Sequence, residues 1–400
     1  MAQNQHRNIV VIGGGIIGCT SAYYLTRHHS YSPSTTSITV LEASTHGVAQ
    51  GASGKAGGLV AKWAYPSELV DISFPEHIRL ANEHNGKERW GWRFANCGSW
   101  KGRGETFTHR GTGESLAKKA GLHISPGVVS PRDESVHPDD LNWVKKHLTE
   151  SYSPMSAPDG TAQVHPYLFT TSMMDLAMEK GATLLRGSAT AIEQEDGCVT
   201  GVRYNDPIDG SSKVTPATHV VLSAGAWSPS IVSSLPISAT RAHSVTVRPN
   251  PEVTIAPYVL FTEIALPGGG VGTPEIYARP DNEIYACGLA DDSPLPTNVD
   301  GVEVDQTACQ SIWEQVASIS TEFREATVEK RQACFLPVVN VHGGGPIIGE
   351  VRKIAKGLYI ATGHTCWGIC NAPGTAKVIS ELIMGGRSVK MRHLEPSRYL

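Results

Sequence analysis

Three glycines and one acidic residue near the start of the chain have the types and spacing that bind a dinucleotide. Gly13, Gly15 and Gly18 form a G-x-G-x-x-G pattern, and Glu42 follows at the end of the segment SITVLE. Glycines at these positions allow a tight turn, the approach of backbone N–H groups to a pyrophosphate, and close packing of a helix on a strand. A carboxylate at Glu42 would accept hydrogen bonds from the ribose hydroxyl groups of an adenosine, which favours a free 2′-OH.

The elements around these residues predict a βαβ unit. Residues 8–12 (NIVVI) form a short apolar run rich in β-branched residues, as in a buried parallel strand. The segment SAYYLTRH then has a helical pattern, and SITVLE predicts the second strand. This order places a pyrophosphate at the N-terminus of the helix, where partial positive charge stabilises it. Such a unit suits NAD as well as FAD, and a purely structural glycine turn is the remaining alternative.

A second loop rich in glycine and serine favours FAD. Residues 50–59 have the sequence QGASGKAGGL, just after Glu42. Their backbone N–H groups and the Ser53 hydroxyl could bind a second part of a dinucleotide. A mobile surface loop would have a similar composition.

The bulk composition excludes several function classes. A chain of 400 residues exceeds the roughly 250–300 residues at which single cores stop growing, so we expect two domains. The net charge of −4 gives no electrostatic basis for binding nucleic acid or an anionic membrane. No apolar run approaches the ~20 residues of a spanning helix, so no membrane span is expected. The cysteines lack zinc spacing and the N-terminus lacks a secretory pattern, so we expect no metal site and a cytoplasmic protein with reduced thiols.

Motifs along nearly the whole chain resemble the D-amino-acid oxidase/sarcosine oxidase superfamily of FAD-dependent oxidoreductases. The first βαβ unit of that family is similar to VVIGGGIIG with VLEAS, and its loop from pyrophosphate to flavin is similar to GASGKAGGL. Its returning strand and turn resemble HVVLSAGAWSPSIV, and its flavin loop and closing helix resemble GLYIATGHTCWGI and APGTAKVISELIMGG. A fungal subgroup is the most similar, through GASGKAGG, RAHS, YARPD and GHTCWGI.

The resemblance implies an α/β fold with a discontinuous Rossmann-type FAD-binding domain and a β-sheet substrate-binding cap domain. Alternating strand patterns in the second half of the chain agree with a sheet in the cap. The FAD-binding domain is expected to comprise residues 1–70, 151–235 and 331–400, and the cap domain residues 71–150 and 236–330.

The same resemblance implies which residues contact FAD. Most belong to the first βαβ unit, the second glycine-rich loop, the returning strand and turn, and the tail loop. Ala189 belongs to a strand that lies by the adenine in the family and follows the helix from Val164, and Cys334 belongs to QACFLP. The expected contacts are Gly13, Gly15, Ile16, Ile17, Gly18, Glu42, Ala43, Ser53, Gly54, Lys55, Gly57, Gly58, Ala189, Ala224, Gly225, Trp227, Cys334, Gly363, His364, Cys366, Trp367 and Gly368. For His364 and Trp367 an ordinary packed loop is the alternative.

Oxidation of an amine by hydride transfer needs few protein groups, because the flavin carries the chemistry and the protein positions a neutral amine. A substrate carboxylate would favour an arginine, and Arg279 in YARPD and Arg241 in RAHS are the candidates. Each could equally be a solvated strand residue or a structural ion-pair partner. His243 is expected to face the flavin from the strand that carries Arg241, and His364 is a further candidate for the catalytic site.

Lysine and cysteine positions bear on the type of flavoenzyme. The sarcosine-oxidase branch activates oxygen with a lysine of the cap, but no lysine occurs between Arg241 and Glu329. Lys55 is a candidate substitute, and a dehydrogenase with another electron acceptor is the alternative. Cys334 stands where sarcosine oxidases carry the cysteine that bonds covalently to flavin, which requires a thiolate with a positive neighbour. Arg331, three residues earlier, could be that neighbour only if the strand is locally bent, since odd spacing puts the two side chains on opposite faces. A buried free cysteine is the alternative.

We therefore expect an FAD-dependent oxidoreductase that oxidises a C–N bond of a small-molecule amine or amino acid. O₂ or another acceptor would reoxidise it. The alternatives are a catalytically silent FAD-binding protein that acts through partners and an NAD-dependent dehydrogenase. The second of these would leave GASGKAGG and GHTCWGI unexplained.

Overall fold

A computed structural model describes residues 6–106, 137–386 and 391–400. The helices in these ranges are α1 (Ile16–Arg27), α2 (Ala52–Lys55), α3 (Ser67–Glu83), α4 (Gly86–Trp90), α5 (Pro166–Met178), α6 (Gln306–Ala317), α7 (Thr321–Arg324) and α8 (Gly368–Met384). The strands are β1 (Arg7–Ile12), β2 (Thr36–Glu42), β3 (Leu59–Ala61), β4 (Arg93–Phe94), β5 (Asn96–Arg103), β6 (Thr149–Pro154), β7 (Thr161–Gln163), β8 (Thr183–Arg186), β9 (Ser188–Glu195), β10 (Cys198–Asn205), β11 (Ser212–Pro216), β12 (His219–Leu222), β13 (Ile237–Arg248), β14 (Tyr258–Ala265), β15 (Val271–Gly272), β16 (Glu275–Ala278), β17 (Ile284–Asp291), β18 (Thr327–Val339), β19 (Ile347–Glu350) and β20 (Leu358–Thr362).

A mostly parallel sheet forms the first layer. Its strand order is β19-β20-β12-β1-β2-β8, and β19 alone among these described strands is antiparallel to its neighbour. Residues Ile9 to Ile12 of the central strand are buried, as expected for a parallel strand covered on both faces. The predicted α/β fold with a Rossmann-type sheet is confirmed.

Helix α1 lies between α5 and α8 on one face of this sheet. Ten of its twelve residues are buried, so the sequence shows no strong amphipathic stripe. The helix begins directly at the first glycine turn, with Gly15 as its extended N-cap. Packing of the surrounding helices therefore fixes the direction in which its N-terminal N–H groups point.

A larger sheet forms the second layer, with the order β18-β13-β17-β16-β14-β5-β6 and with β15 paired to β14. Successive residues of its strands point to opposite faces. One face packs on α6, and Val245 of β13 and Ile312 of α6 belong to the same buried hydrophobic cluster. The other face carries Ala242, Tyr277 and Cys334 and lies against the glycine-rich loop. Residues from the second face can therefore contribute to a site between the two layers.

Two segments differ from the expected domain boundaries. Phe74 of α3 and Trp90 of α4 are buried in the core of the parallel-sheet layer, although residues 71–150 were expected in the cap. Strand β18 pairs along β13, so Cys334 belongs to the larger sheet and not to the FAD-binding layer expected from residue 331. Hydrophobic patterns predict elements, but the partner of each element depends on long-range pairing. Residues 107–136 of the expected cap lie outside the described ranges.

Candidate functional site

A cavity of about 420 Å³ lies at the carboxyl ends of the parallel strands β1, β2, β12 and β20. Ligands of open α/β sheets bind in this position. The wall is built from both expected glycine loops, the returning turn and the tail loop. The expected residues that line it are Gly13, Gly15, Ile16, Ile17, Glu42, Ala43, Ser53, Ala189, Ala224, Gly225, Trp227, His364 and Gly368.

The first glycine turn needs its glycines for different reasons. Gly13 has φ +105°, and a Cβ atom there would lie 2.6 Å from the carbonyl oxygen of Ser223. A Cβ atom on Gly18 would collide with the carbonyl oxygen of Gly13. Gly18 does not line the cavity; it allows α1 to pack on the turn. The glycine pattern thus positions the N-terminus of α1 at the cavity wall.

Glu42 is buried at the end of β2, with 8% of its surface exposed. Its Oε2 accepts a hydrogen bond from the Gly14 N–H at 2.6 Å, and its Oε1 accepts one from the Ser44 N–H at 2.7 Å. Burial raises the pKa of this carboxyl, while the two backbone donors oppose the shift. Because each oxygen can accept further bonds, Glu42 can still bind hydroxyl groups that enter the cavity.

The second glycine-rich loop connects the two layers. Ser53 Oγ accepts a hydrogen bond from the Ile16 N–H at 2.9 Å, so this hydroxyl caps α1 in addition to lining the cavity. A Cβ atom on Gly57 would lie 2.8 Å from the ring of Tyr277, in the cap sheet. Gly54 lines neither cavity; a side chain there would collide with the carbonyl oxygen of Ala49. The loop therefore requires glycines for its contacts with both layers.

A smaller cavity of about 100 Å³ adjoins the first, and the two share Ile16, Ala52, Ser53, Thr365 and Gly368 as wall residues. The loop and tail side contributes Lys55, Gly57, Gly58, Cys366 and Trp367. The cap sheet contributes Ala242, Phe261, Glu275, Tyr277, Tyr285, Cys287, Cys334 and Leu336. A ligand that fills the larger cavity would thus end at a compartment covered by the cap.

The tail loop closes both cavities. Gly363 turns the chain with φ +83° without lining either cavity, and α8 begins at Gly368. His364 is 4% exposed, its Nε2 lies 2.9 Å from Thr375 Oγ1, and burial lowers its pKa to about 3. His364 is therefore neutral near pH 7. A Cβ atom on Gly368 would make only ordinary contacts with protein, at 3.8 Å or more, so the space beside it belongs to the cavity.

Lys55 and Cys334 lie together at one end of the smaller cavity. The Lys55 ammonium donates a hydrogen bond to the carbonyl oxygen of Ala333 at 3.0 Å, and burial lowers the pKa of Lys55. Burial raises the pKa of the Cys334 thiol to about 11, although the positive charge of Lys55 acts in the opposite direction. Arg331, which could reach this thiol only from a locally bent strand, instead donates to Gln310 Oε1 at 2.8 Å. Lys55, not Arg331, is thus the positive group beside this thiol.

Comparison with known proteins identifies the family of this chain. Residues 8–382 match the family DAO, described as FAD dependent oxidoreductase. The chain belongs to this family. It is 33% identical to the protein named Putative oxidoreductase TDA3 of Saccharomyces cerevisiae, over 98% of this chain and 95% of the yeast protein. The expected similarity to fungal members of the superfamily is confirmed.

Solved structures of the same fold include two bacterial oxidases. An iminodiacetate oxidase from Chelativorans sp. BNC1 is similar with a TM-score of 0.69 and 18% identity, covering 98% of each chain. A glycine oxidase from Geobacillus kaustophilus is similar with a TM-score of 0.71 and 16% identity, covering 99% of this chain and 100% of the other. At these identities the likeness shows the fold alone.

The cofactor of this family is FAD, and the residues of this DAO-family chain fit it. The first glycine turn and the N-terminus of α1 are suited to a pyrophosphate, and Glu42 is suited to the adenosine ribose. The space beside Gly15 and Gly368 would be filled by a side chain at either position. FAD rather than NAD also accounts for the second loop and the tail loop.

His243 does not face the cavity, which corrects the expectation. Ala242 lines the cavity, and the next residue along β13 points to the opposite face. There His243 is 1% exposed, and its Nε2 accepts a hydrogen bond from the Asp305 N–H at 3.3 Å, next to the start of α6. Burial lowers its pKa. It is a core residue of the cap.

The arginine candidates are both structural, so the expected carboxylate-binding role is also corrected. Arg279 forms an ion pair with Glu283 at 2.7 Å, donates to the carbonyl oxygens of Ala56 and Gly57, and lies on the face of Tyr285. It is 3% exposed and lines neither cavity. Its guanidinium group therefore holds the second glycine-rich loop against the cap sheet.

Arg241 binds a carboxylate of the cap itself. Its Nε and Nη2 donate to Asp291 at 3.0–3.2 Å, and its Nη1 donates to the carbonyl oxygen of Glu303. It too lines neither cavity. Among the described residues that line the two cavities, none is an arginine.

Several cap residues that line the smaller cavity were not among the residues expected from the sequence. Glu275, Tyr277, Tyr285 and Cys287 lie in strands that were expected, but the face they occupy was not. Phe261 completes this aromatic wall; its ring lies 5.9 Å from that of Trp63. The alternating side chains within EIYA and EIYACGL predict strands. They do not give the register of those strands, which decides which face lies against the cavity.

The sequence predicts neither a metal site nor a membrane-spanning helix. Among the residues that the structure describes, no group of three or more His, Cys, Asp or Glu side chains is arranged to hold a metal ion. In the same ranges, every helix is too short or too polar to cross a membrane.

Proposed function

We propose that this DAO-family oxidoreductase oxidises a C–N bond of a small-molecule amine or amino acid. The observation that carries the proposal is the small cap-covered cavity that continues the cofactor cavity past the tail loop. Two proteins of the same fold are named iminodiacetate oxidase and glycine oxidase, and both names denote oxidation of a nitrogen compound. Bound FAD supplies the hydride acceptor for such a reaction.

The proposed hydride transfer does not require a general base among the protein groups around the smaller cavity. We propose that the cap sheet and Trp367, which is 6% exposed, limit the access of water to the compartment. His364 is neutral near pH 7 because of its low pKa, so it positions the tail loop through Thr375 and adds no charge. The substrate must lose its own ammonium proton before hydride can leave.

Lys55 is the proposed group for the reaction with the electron acceptor. It is the ammonium group in the wall of the smaller cavity, and burial lowers its pKa without an acidic partner at hydrogen-bond distance among its described contacts. A positive charge in a water-poor compartment stabilises negative charge that develops on reduced oxygen. O₂ is thus a suitable acceptor, and another electron acceptor is the second outcome of the test below.

The test is anaerobic reduction of the FAD-loaded protein by a panel of amines and amino acids. We expect at least one compound to bleach the flavin absorption, and readmitted O₂ to restore it. A Glu195→Ala variant, changed at an exposed end of β9, serves as a control for preparation effects. If no compound of either class bleaches the flavin, the protein is the silent FAD-binding alternative. Bleaching that O₂ does not reverse indicates a dehydrogenase.

A further inference from the structure

A loop of the cap forms part of the wall of the cofactor cavity. Residues 292–305 connect β17 to α6, and within this loop Thr297, Asn298 and Val299 line the larger cavity. None of the three was expected to contact FAD. A Cβ atom on Gly51 would lie 3.6 Å from the Val299 side chain, so the loop also approaches the second glycine-rich loop.

Hydrogen bonds at two points attach this wall segment to the parallel-sheet layer. The Asp300 carboxylate accepts a bond from the Ser44 hydroxyl at 2.5 Å, and bonds from the Thr45 N–H and hydroxyl at 2.9 and 2.8 Å. At the other end, the Trp227 indole N–H donates to the carbonyl oxygen of Pro296 at 2.8 Å. Bonds to a carboxylate are stronger than bonds between neutral groups, so more of the attachment depends on Asp300.

The two attachment points lie on opposite sides of the central strand of the parallel sheet. Ser44 and Thr45 follow β2, Trp227 follows β12, and β1 lies between these strands. Two strand spacings amount to roughly 10 Å. The segment from Pro296 to Asp300 can span up to about 14 Å when extended. It is therefore long enough to cross the cavity at the carboxyl end of β1, and we call this segment, residues 296–300, the strap.

Arg241 holds the base of the same loop. Its Nε and Nη2 donate to the carboxylate of Asp291, where the loop leaves β17. Its Nη1 donates to the carbonyl oxygen of Glu303, shortly before α6. One guanidinium group thus joins the two ends of the loop. Because Arg241 lines neither cavity, its influence on a bound cofactor would act through the loop.

We infer that the strap retains the nucleotide half of FAD, and that Asp300 and Arg241 are positioning residues that keep the strap closed. Thr297 offers a hydroxyl group and Val299 an apolar side chain to a ligand in the cavity that Glu42 also lines. FAD enters or leaves only when the strap detaches, so loss of an attachment speeds release without slowing association. Retention of FAD by the strap does not depend on which substrate the enzyme oxidises.

The experiment measures the release and the association of FAD in two variants. Release is followed by the rise of flavin fluorescence after dilution of the holoprotein, and association by stopped-flow mixing of apoprotein with FAD. Asp300→Asn keeps one acceptor oxygen and removes the charge, and Arg241→Met removes the contacts at the loop base. We expect each variant to release FAD roughly ten-fold faster, since Asp300 is exposed and water weakens its bonds. Arg241→Lys should restore part of the slow release.

Matched controls remove the same kinds of contact elsewhere. Arg248 stands on the same strand as Arg241 and likewise binds a carboxylate, of Glu329, and a backbone carbonyl, of Asp281. Asp209 accepts bonds from the N–H and the hydroxyl of one residue, Ser211, as Asp300 does from Thr45. Arg248→Met and Asp209→Asn should therefore release FAD at the wild-type rate.

Hydrogen exchange of the wild-type protein tests the strap without a substitution. FAD should slow the exchange of the backbone amides of the strap, because a strap closed over its ligand opens less often. FMN lacks the adenosine of FAD and should slow this exchange less. The amides of residues 206–211, in the hairpin that carries Asp209, should exchange alike with and without flavin.

Several results would overturn the inference. Wild-type release rates in both Asp300→Asn and Arg241→Met would do so, as would strap amides whose exchange does not respond to FAD. Faster release accompanied by equally slower association would indicate damage to the cavity and would also contradict the strap. The exchange measurement is decisive even if a variant does not load FAD. Fast release in the variants of a protein whose flavin no amine or amino acid bleaches would support the strap and contradict the proposed C–N oxidation.

Discussion

Replacement of Glu42 by alanine should weaken FAD binding through the adenosine end of the cofactor. The buried carboxylate faces the cavity from the end of β2 and has acceptor capacity beyond its bonds to Gly14 and Ser44. Losing a pair of charge-assisted hydrogen bonds to the ribose costs on the order of 2–4 kcal/mol. The dissociation constant of FAD should therefore rise roughly 30- to 700-fold.

The same variant also affects the protein without cofactor. Alanine would leave the Gly14 and Ser44 N–H groups without their carboxylate partner, at a cost of about 1–3 kcal/mol for each group that stays buried. Unfolding of the apoprotein should be measured in denaturant to determine this contribution separately. Glu42→Gln is a second variant, since it keeps one acceptor oxygen of the same reach.

A comparison of two flavins distinguishes ribose binding from loop organisation. FMN lacks the adenosine of FAD, so its affinity for apoprotein should be equal in wild type and Glu42→Ala. Titration of apoprotein with each flavin, followed by flavin fluorescence, measures both constants. Unchanged FAD affinity would refute the ribose assignment. An equal loss for FAD and FMN would mean that Glu42 acts by organising the glycine turn alone.

Four further predictions address the flavin end of the site. Gly368→Val should cause flavin loss or an altered flavin spectrum, because the side chain would enter space shared by both cavities; full occupancy with an unaltered spectrum would count against the placement of the tail loop. Lys55→Met should slow flavin reoxidation by O₂ on the order of 10²-fold, which is more than it slows flavin reduction, and Lys55→Arg should restore part of the reoxidation rate. Equal reoxidation rates of wild type and Lys55→Met in stopped flow would contradict this role of Lys55. The rate of single-turnover flavin reduction should rise with pH as the substrate amine loses its proton. Titration of His364 cannot cause this rise, because the pKa of His364 is about 3. A rate that is constant between about pH 6 and pH 10 would argue for a non-amine substrate. Acid precipitation of the wild-type protein should leave the flavin in the supernatant. Burial raises the pKa of Cys334 to about 11 and so keeps the thiol protonated near neutral pH. Flavin that stays in the wild-type pellet, and leaves it in Cys334→Ala, would establish the covalent bond instead.

The cofactor cavity could be predicted from the sequence because its determinants are local. Gly13, Gly18 and Glu42 act within one βαβ unit, where a turn, a close helix contact and a strand end each require a particular residue type. Gly54 is an expected cofactor residue that lines neither cavity. Glycine is still required there, because a side chain would collide with the carbonyl oxygen of Ala49. Short-range geometry therefore sufficed for this part of the site.

The substrate end could not be predicted in the same way, because it depends on which face of a strand meets the cavity. His243 and Ala242 are neighbours in β13 and lie on opposite faces, and the pairing of β13 with β17 shifts register between Ala242 and Ser244. A shift of one residue exchanges the two faces of a strand. Glu275 was missed for the same reason. Its strand is buried along its whole length, so polarity gave no indication that this carboxylate lies in a cavity.

Contacts between the two layers explain why the most suggestive cationic side chains are not substrate ligands. Arg279 binds the loop carbonyls of Ala56 and Gly57, and Lys55 binds the carbonyl of Ala333 across the same boundary. On the adenosine side, the carboxylate of Asp300 accepts hydrogen bonds from Ser44 and Thr45. Each of these contacts ties the cap sheet or its loops to a segment that forms the cofactor cavity. Because residues of both layers line the two cavities, we expect FAD that binds there to stabilise the docking of the layers as well as the parallel sheet.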